Sequence, residues 1–167
     1  MRCLECGGMM RSQKSQRYAY RESGLKDVLI TVTILRCPKC GETLPQIPDV
    51  RGLHAAIADH LFEKPGPLTG PEVRFLRKEM GVKAKDLASI LGVDPVTVSR
   101  WETGTEKVGQ TADRLIRCLY LLCRIEAGRE IHPGQSFQRI RQDFAQIRRV
   151  SRPKPLSMTI PATAGAG

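Results

Sequence analysis

Hydrophobic residues recur along this chain with two different periods. Between residues 28 and 34 they occupy alternate positions, as Val28, Ile30, Val32 and Ile34. Such an alternation predicts a β-strand with one buried face. From about residue 50 to residue 127 the spacing changes to three and four, which predicts amphipathic helices. We therefore expect an α+β protein, with a strand-rich N-terminal part followed by an all-helical part.

The N-terminal part has signals for further elements. Residues 17–21 read as a second strand, the residues from Glu22 to Gly24 as its turn, and residues 42–48 as a short extended piece. A helix over residues 49–63 follows, for which Asp49 is a candidate N-cap. We expect this helix to pack against the preceding module. Residues 64–67 read Lys-Pro-Gly-Pro, which ends the helix and marks the best domain boundary.

The stretch over residues 84–104 predicts two short helices joined by a tight turn. Ala88 is small enough for a close helix approach, and Gly92 tolerates the positive φ that the turn requires. Asp94 can cap the second helix, and Pro95 suits its first position. This arrangement is typical of a helix-turn-helix, in which the second helix enters a DNA major groove.

A third helix signal precedes this stretch. Thr69 and Glu72 form a capping-box pattern that opens a helix to about Met80. On the second helix of the motif, Val98 and Trp101 share one face by their spacing, and we assign Trp101 to the core rather than to a DNA contact. The expected core of the helical part is Val73, Leu76, Met80, Leu87, Ile90, Leu91, Val98 and Trp101.

Two more helices are predicted toward the C-terminus. The first, over residues 111–127, has more apolar surface than one contact requires, and its Cys118 and Cys123 read as small buried hydrophobic residues. The second, over residues 136–150, has a row of apolar residues, here called the seam, which can pack on the preceding helix or pair between subunits. The composition of residues 151–167 predicts a disordered tail. The seam consists of Phe137, Ile140, Phe144 and Ile147.

The formal net charge of +10 narrows the choice of partners. The excess is concentrated in residues 128–167, where seven Lys and Arg face two Asp and Glu. A basic chain suits a polyanion. We favour nucleic acid over a membrane surface, because no segment resembles an amphipathic anchor. The start of the chain lacks a signal peptide and no stretch is long enough to span a membrane, so we expect a cytoplasmic protein.

Four of the six cysteines lie in two identical C-x-x-C-G motifs. Cys3 and Cys6 form the first, and Cys37 and Cys40 form the second. Two such turns can supply the four thiolates of a tetrahedral Zn²⁺ site, which we expect to be structural because no coordination position stays open. A redox-active C-x-x-C is the alternative, although no thioredoxin-like context accompanies it. His54 and His60 are six residues apart on a predicted helix, off any shared face, so we do not expect them to bind metal.

These features together resemble the family of MqsA-type proteins, in which a YgiT-type zinc finger precedes an XRE-type, lambda-repressor-like helix-turn-helix. The motifs that carry the resemblance are the four cysteines, YRESGL, RFLRKEMG and LGVDPVTVSRWETG. The resemblance implies a five-helix-type DNA-binding domain and one structural zinc. It also implies a dimeric repressor, in several members an antitoxin that covers a ribonuclease toxin with its zinc domain.

The resemblance also implies roles for individual residues. Arg100 falls at a base-reading position, and Arg77 and Glu102 match a pair that joins the first helix to the third. Two departures matter: Lys83 stands where the family commonly has a capping Ser or Thr, and Val96 stands where an asparagine reads a base. The operator is therefore not transferable. The expected DNA contacts are Lys83, Lys85, Pro95, Val96, Thr97, Ser99, Arg100 and Lys107.

The sequence thus predicts a DNA-binding repressor that is the antitoxin of a type II toxin-antitoxin pair. It would bind a palindromic operator as a homodimer, with half-sites about 34 Å apart. The alternatives are a zinc-containing regulator without a toxin and a zinc-thiolate redox sensor. We do not expect an enzyme, because no catalytic constellation is recognisable. The expected domains are residues 1–64 around zinc, a linker over 65–71, the helix-turn-helix domain over 72–127, the C-terminal helix over 128–150 and the tail.

Overall fold

The computed structural model describes residues 1–26 and 28–128. The chain divides into two compact units, one over Met1–Leu53 and one that begins at His54. The strands are β1 (Arg11–Ala19), β2 (Leu29–Arg36) and β3 (Thr43–Gln46), and the helices are α1 (Val50–Glu63), α2 (Gly70–Glu79), α3 (Ala84–Leu91), α4 (Pro95–Thr103) and α5 (Gln110–Glu126). This confirms the predicted α+β class. The helix and tail predicted over residues 136–167 lie outside the described residues.

The sheet of the first unit is antiparallel, with β2 between β1 and β3. β1 begins six residues before the strand predicted over residues 17–21 and ends two residues before that prediction does. Its first six residues, RSQKSQ, are all polar, so no apolar alternation indicated a strand there. Its register shifts between Gln13 and Gln16, and Ser15 has a positive φ of 55° there. An extra residue in one strand is a β-bulge, which bends an edge strand.

The buried face of the sheet follows the predicted alternation over most of β2. Val28, Ile30 and Val32 are buried, as expected for residues that point to one face. Ile34 is only half-buried, and the next residue, Leu35, is buried instead. The core of the first unit is therefore small and ends close to Cys37, which is also buried.

Helix α1 begins as predicted, because the carboxylate of Asp49 accepts a hydrogen bond of 2.8 Å from the backbone N–H of Gly52. The boundary between the two compact units falls within α1, after Leu53. From His54 onward its side chains contact other helices of the second unit. The Nδ1 atom of His54 lies 2.9 Å from the carboxylate of Glu79, and Asp59 accepts one hydrogen bond from the Tyr120 hydroxyl.

The second unit has a core of fully buried aliphatic side chains from its helices. Val73 and Leu76 of α2, Leu87 of α3, Val98 of α4 and Ile116 of α5 all belong to it. Trp101 is buried as well, which confirms its assignment to the core. The assignment of Ile90 was wrong, since 52% of its surface is exposed. Ile90 lies in the last turn of α3, on the exposed side of that helix, whereas Leu87 and Ala88 are buried.

No helix in the described part of the chain has the length and apolar character needed to cross a bilayer. The longest, α5, has 17 residues and includes buried Asp113 and Arg117. These helices instead have amphipathic or polar surfaces, as expected for helices that pack around a common core.

Candidate metal centre and candidate nucleic-acid interface

The four cysteines of the two C-x-x-C-G motifs come together in the first unit. The Sγ atoms of Cys3, Cys6, Cys37 and Cys40 all lie within 4.8 Å of one another. Two of these separations, Cys3 to Cys40 and Cys6 to Cys37, are 3.5 Å, far longer than a disulfide bond. Among the described residues this is the one group of side chains that could bind a metal ion.

Each pair of cysteines lies on a backbone turn of the same form. In the first, the N–H of Gly7 donates to the carbonyl of Cys3, and in the second the N–H of Gly41 donates to the carbonyl of Cys37. Both glycines have positive φ, 68° and 80°, which a glycine adopts without strain. The second turn connects β2 to β3, so the sheet positions its sulfur atoms.

The electrostatics of the cluster favour a bound cation. The backbone N–H of Cys40 donates to the Cys37 sulfur and lowers the pKa of Cys37 to about 6, against the opposing effect of burial. The N–H of Glu42 lowers the pKa of Cys40, but the neighbouring sulfurs and burial raise it more, to about 12. Closely spaced thiolates repel one another, and a divalent cation removes that cost.

The residues fit a tetrahedral zinc site. Zinc bonds to sulfur at about 2.3 Å, so tetrahedral sulfur atoms lie about 3.8 Å apart. The observed separations of 3.5 Å and the limit of 4.8 Å bracket that value. All four ligands come from the protein, which leaves no position for a substrate. The arrangement therefore supports a structural metal ion rather than a catalytic one.

The second candidate site is the pair α3 and α4 with the turn between them. Gly92 has a φ of 67°, and the N–H of Val93 donates back to the carbonyl of Ala88. The Asp94 carboxylate accepts a hydrogen bond of 2.7 Å from the N–H of Val96, and Pro95 occupies the first turn of α4. These observations confirm the predicted turn and cap. Lys83 precedes α3 without a side-chain cap, as its substitution for Ser or Thr implies.

The predicted DNA contacts lie on the surface around α4. Val96, Ser99 and Arg100 are exposed on this helix, whereas Val98 and Trp101 are buried on its other side. Thr97 is half-buried. The remaining residues of the set, Lys83, Lys85, Pro95 and Lys107, are exposed. Within the described part of the chain, no ion pair involves Arg100 or these three lysines, so their charges are available to a ligand.

The orientation of α4 depends on a charged pair. Arg77 of α2 donates from Nε and Nη2 to the two carboxylate oxygens of Glu102, and from Nη1 to the carbonyl of Val82. The pair that the family resemblance implied is thus formed. A bidentate interaction fixes direction as well as distance, so it connects the last turn of α2 to the end of α4.

A second charged pair, which the sequence interpretation missed, lies in the core. Arg117 and Asp113 of α5 are both fully buried, and Arg117 Nε lies 3.2 Å from Asp113. Arg117 also donates to four backbone carbonyls, two in the last turn of α1 and two in the segment that follows it, and Asp113 accepts from the N–H of Leu68. The four carbonyls are those of Leu61, Phe62, Lys64 and Gly66. Asp113 and Arg117 are four residues apart on one helix, and this spacing was a signal in the sequence that could have identified the pair.

The cysteines on α5 are separate from the metal centre. Cys118 and Cys123 are half-buried rather than buried, and burial raises the pKa of both thiols. A raised pKa disfavours the thiolate, which is the reactive and metal-binding form. We therefore assign them to packing.

The fold and the cluster define a class: an α+β protein in which a small sheet with a four-cysteine cluster that could bind a metal ion accompanies a helical unit built around a two-helix motif. A family model described as the antitoxin component of bacterial toxin-antitoxin system, MqsA, matches residues 1–126. The chain belongs to this family. A search of curated proteins and a search of solved structures returned no match. The match covers both compact units up to the end of α5.

Proposed function

We propose that this protein is a zinc-containing antitoxin that represses transcription of its own operon in the cytoplasm. The DNA-binding part of this proposal rests on one observation: α4 has one exposed face and one buried face. Arg100, Ser99 and Val96 are exposed on one side, and Val98 and Trp101 are buried on the other. A helix attached to its domain in this way can offer several neighbouring side chains to a major groove.

The proposed mechanism divides the contacts into two kinds. Arg100 donates two hydrogen bonds to a guanine, and Val96, which is 55% exposed, contacts a thymine methyl group. Thr97 and Ser99 add hydroxyl contacts. Lys83, Lys85 and Lys107 neutralise phosphates, which increases affinity for every sequence alike. Because few polar groups lie on the exposed face of α4, Arg100 supplies most of the base recognition.

We assign binding of the toxin to the first unit. The family description names an antitoxin, and an antitoxin requires a protein surface for its partner. β1 supports this assignment because it is an edge strand of the sheet and eight of its nine residues are exposed. Edge strands offer backbone donors and acceptors to a partner. The metal centre would then act by keeping this surface folded.

We further propose that the protein is a homodimer that contacts its partner copy through α5. Leu122 and Ile125 are 55% and 54% exposed, and Leu115 lies on the same stripe of the helix. Exposed apolar side chains at this spacing are typical of a helix that packs against another. Leu122→Glu should convert the dimer to a monomer in light scattering, whereas Gln110→Glu, at an exposed position at the start of the same helix, should leave it dimeric. A dimeric Leu122→Glu protein would remove α5 from the interface.

The experiment that tests the DNA-binding proposal is selection of bound sequences from random duplex DNA by the purified protein. We expect a palindromic motif with half-sites about one helical turn apart. Enrichment of no sequence would refute a repressor function. Repeating the selection with a chelator separates a structural metal from one that is needed for DNA binding.

The antitoxin assignment needs a separate experiment. Co-expression with the product of the adjacent gene should yield a stable complex and suppress the toxicity of that product. If every neighbouring gene is harmless when expressed alone, the toxin partner is excluded and a zinc-containing transcription factor remains.

A further inference from the structure

The start of α2 and the end of α4 approach each other unusually closely at Gly70. A Cβ atom added to Gly70 would lie 2.0 Å from the carbonyl oxygen of Trp101 and 3.1 Å from that of Glu102. Separations under 3.0 Å essentially never occur for real Cβ atoms. The obstructing atoms belong to the backbone, so they cannot rotate away as the end of a side chain can.

The helix segments on both sides of this contact are fixed by other interactions. At the start of α2, Glu72 accepts hydrogen bonds from the N–H of Thr69 and from Lys64 Nζ, each 2.7 Å to Oε2. At the end of α4, the carboxylate of Glu102 binds Arg77. Any side chain at position 70 must therefore displace one helix end relative to the other, by about 1 Å if the 2.0 Å contact is to reach 3.0 Å.

The contact is also electrostatically favourable. The first turn of a helix carries a partial positive charge and the last turn a partial negative charge. At Gly70 the first turn of α2 lies against carbonyls of the last turn of α4. Two helix ends of opposite partial charge attract each other, and the missing side chain lets them come close enough for this to matter.

We propose that Gly70 is a positioning residue for α4 and thereby for sequence recognition by Arg100, an inference that rests on the proposed DNA-binding function. Arg100 immediately precedes Trp101, whose carbonyl Gly70 contacts. Two hydrogen bonds from one guanidinium to one base tolerate little displacement, because such bonds weaken quickly with distance and angle. Lysine contacts to phosphates tolerate more. Gly70 therefore affects discrimination between sequences more than general DNA affinity.

The test uses Gly70→Ala in the full chain, with Gly109→Ala as the matched control. Gly109 is the residue before α5, and a Cβ added there meets nothing within 4 Å. Affinity is measured for the duplex that the wild-type protein selects and for a random duplex of equal length. We expect Gly70→Ala to lose about tenfold or more on the selected duplex and less than about twofold on the random one, equivalent to one lost base contact. Gly109→Ala should match the wild-type protein on both.

Fluorescence provides a readout at the contact itself, because Trp101 is the only tryptophan of the chain. Its emission should shift in Gly70→Ala and stay constant in Gly109→Ala. A folded Gly70→Ala protein with wild-type preference for the selected duplex would overturn the inference. A loss of equal size on both duplexes would overturn it too, because it would indicate a general weakening of the domain.

A second variant keeps the inference testable if Gly70→Ala does not fold. Arg77→Lys retains the charge but loses the bidentate bond at the same end of α4. It should lower affinity for the selected duplex more than for the random one. Wild-type discrimination by folded Arg77→Lys would then overturn the inference. If the wild-type protein itself selects no sequence, the proposed function fails, a result distinct from an unaffected Gly70→Ala.

Discussion

The two compact units are stabilised in different ways. The unit over Met1–Leu53 has a three-stranded sheet, a small apolar core and four cysteine sulfurs within 4.8 Å of one another. The unit that begins at His54 has an aliphatic core and the buried pair of Arg117 and Asp113. A chain segment of about 50 residues buries too little apolar surface to be very stable by itself. The comparison predicts that a metal bound by the four cysteines compensates for the small core of the first unit, whereas side-chain packing suffices in the second.

Among the experiments that compare the stability of the two units, removal of the metal should have the largest effect. Binding of a structural zinc contributes about 10–16 kcal/mol of apparent free energy in small metal-dependent domains. We expect a chelator, or Cys37→Ser, to unfold the first unit, as measured by loss of its amide signals in NMR spectra. Trp101 fluorescence should not change, because Trp101 lies in the second unit.

The control for this experiment is Cys118→Ser, since Cys118 lies on α5 and is not one of the four clustered cysteines. It should bind the same amount of zinc as the wild-type protein. Persistence of the first unit's amide signals without metal would show that its apolar core is sufficient, and the proposed contrast between the units would be lost.

A substitution at Arg117 should have the next largest effect. It should destabilise the second unit and leave the first unit unchanged. Arg117→Met removes the partner of buried Asp113 and leaves four backbone carbonyls without their donor. Breaking a buried ion pair from one side costs about 3–5 kcal/mol. We expect a loss of that size in the free energy of unfolding, measured by urea denaturation with Trp101 fluorescence, and an unchanged zinc content.

Arg124→Ala is the matched control, because Arg124 is on the same helix and pairs with Asp59 at a more exposed position. A pair that is partly exposed to solvent contributes less than a fully buried one, so we expect a smaller loss for Arg124→Ala than for Arg117→Met. Equal losses for Arg117→Met and Arg124→Ala would mean that burial does not distinguish the two pairs.

The DNA-binding variants should have the smallest energetic effects and should act through the second unit alone. We expect Arg100→Ala to lose about 1–3 kcal/mol on the selected duplex and to relax specificity at one base pair. Lys107→Ala should weaken binding to all sequences alike and reduce the salt dependence by about one phosphate contact. Binding titrations at several salt concentrations measure both.

Two outcomes would contradict this assignment. If Arg100→Ala loses the same affinity on selected and random duplexes, Arg100 contacts phosphate rather than a base. If chelation abolishes DNA binding while Trp101 fluorescence is unchanged, the first unit contributes to DNA binding and the division of roles between the units is wrong.

Local spacing rules were sufficient to predict much of this protein. The four-cysteine cluster followed from two C-x-x-C-G motifs, the cap of α4 from Asp94 and Pro95, and the turn from Gly92. Each of these features depends on residues close in sequence or on a repeated motif. The buried position of Trp101 followed from helical periodicity, because spacing decides which residues share a face.

Other features were decided only by tertiary structure. The role of Arg117 depends on carbonyls more than 50 residues away, and the requirement for Gly70 depends on the path of α4. Ile90 has the spacing of a core residue but is 52% exposed among the described helices. The sequence by itself determined most of the elements, the cap of α4 and the four cysteines of the cluster, because these depend on local geometry or on a repeated motif. Tertiary structure decided which helix faces meet and how closely, because that depends on packing between segments distant in sequence.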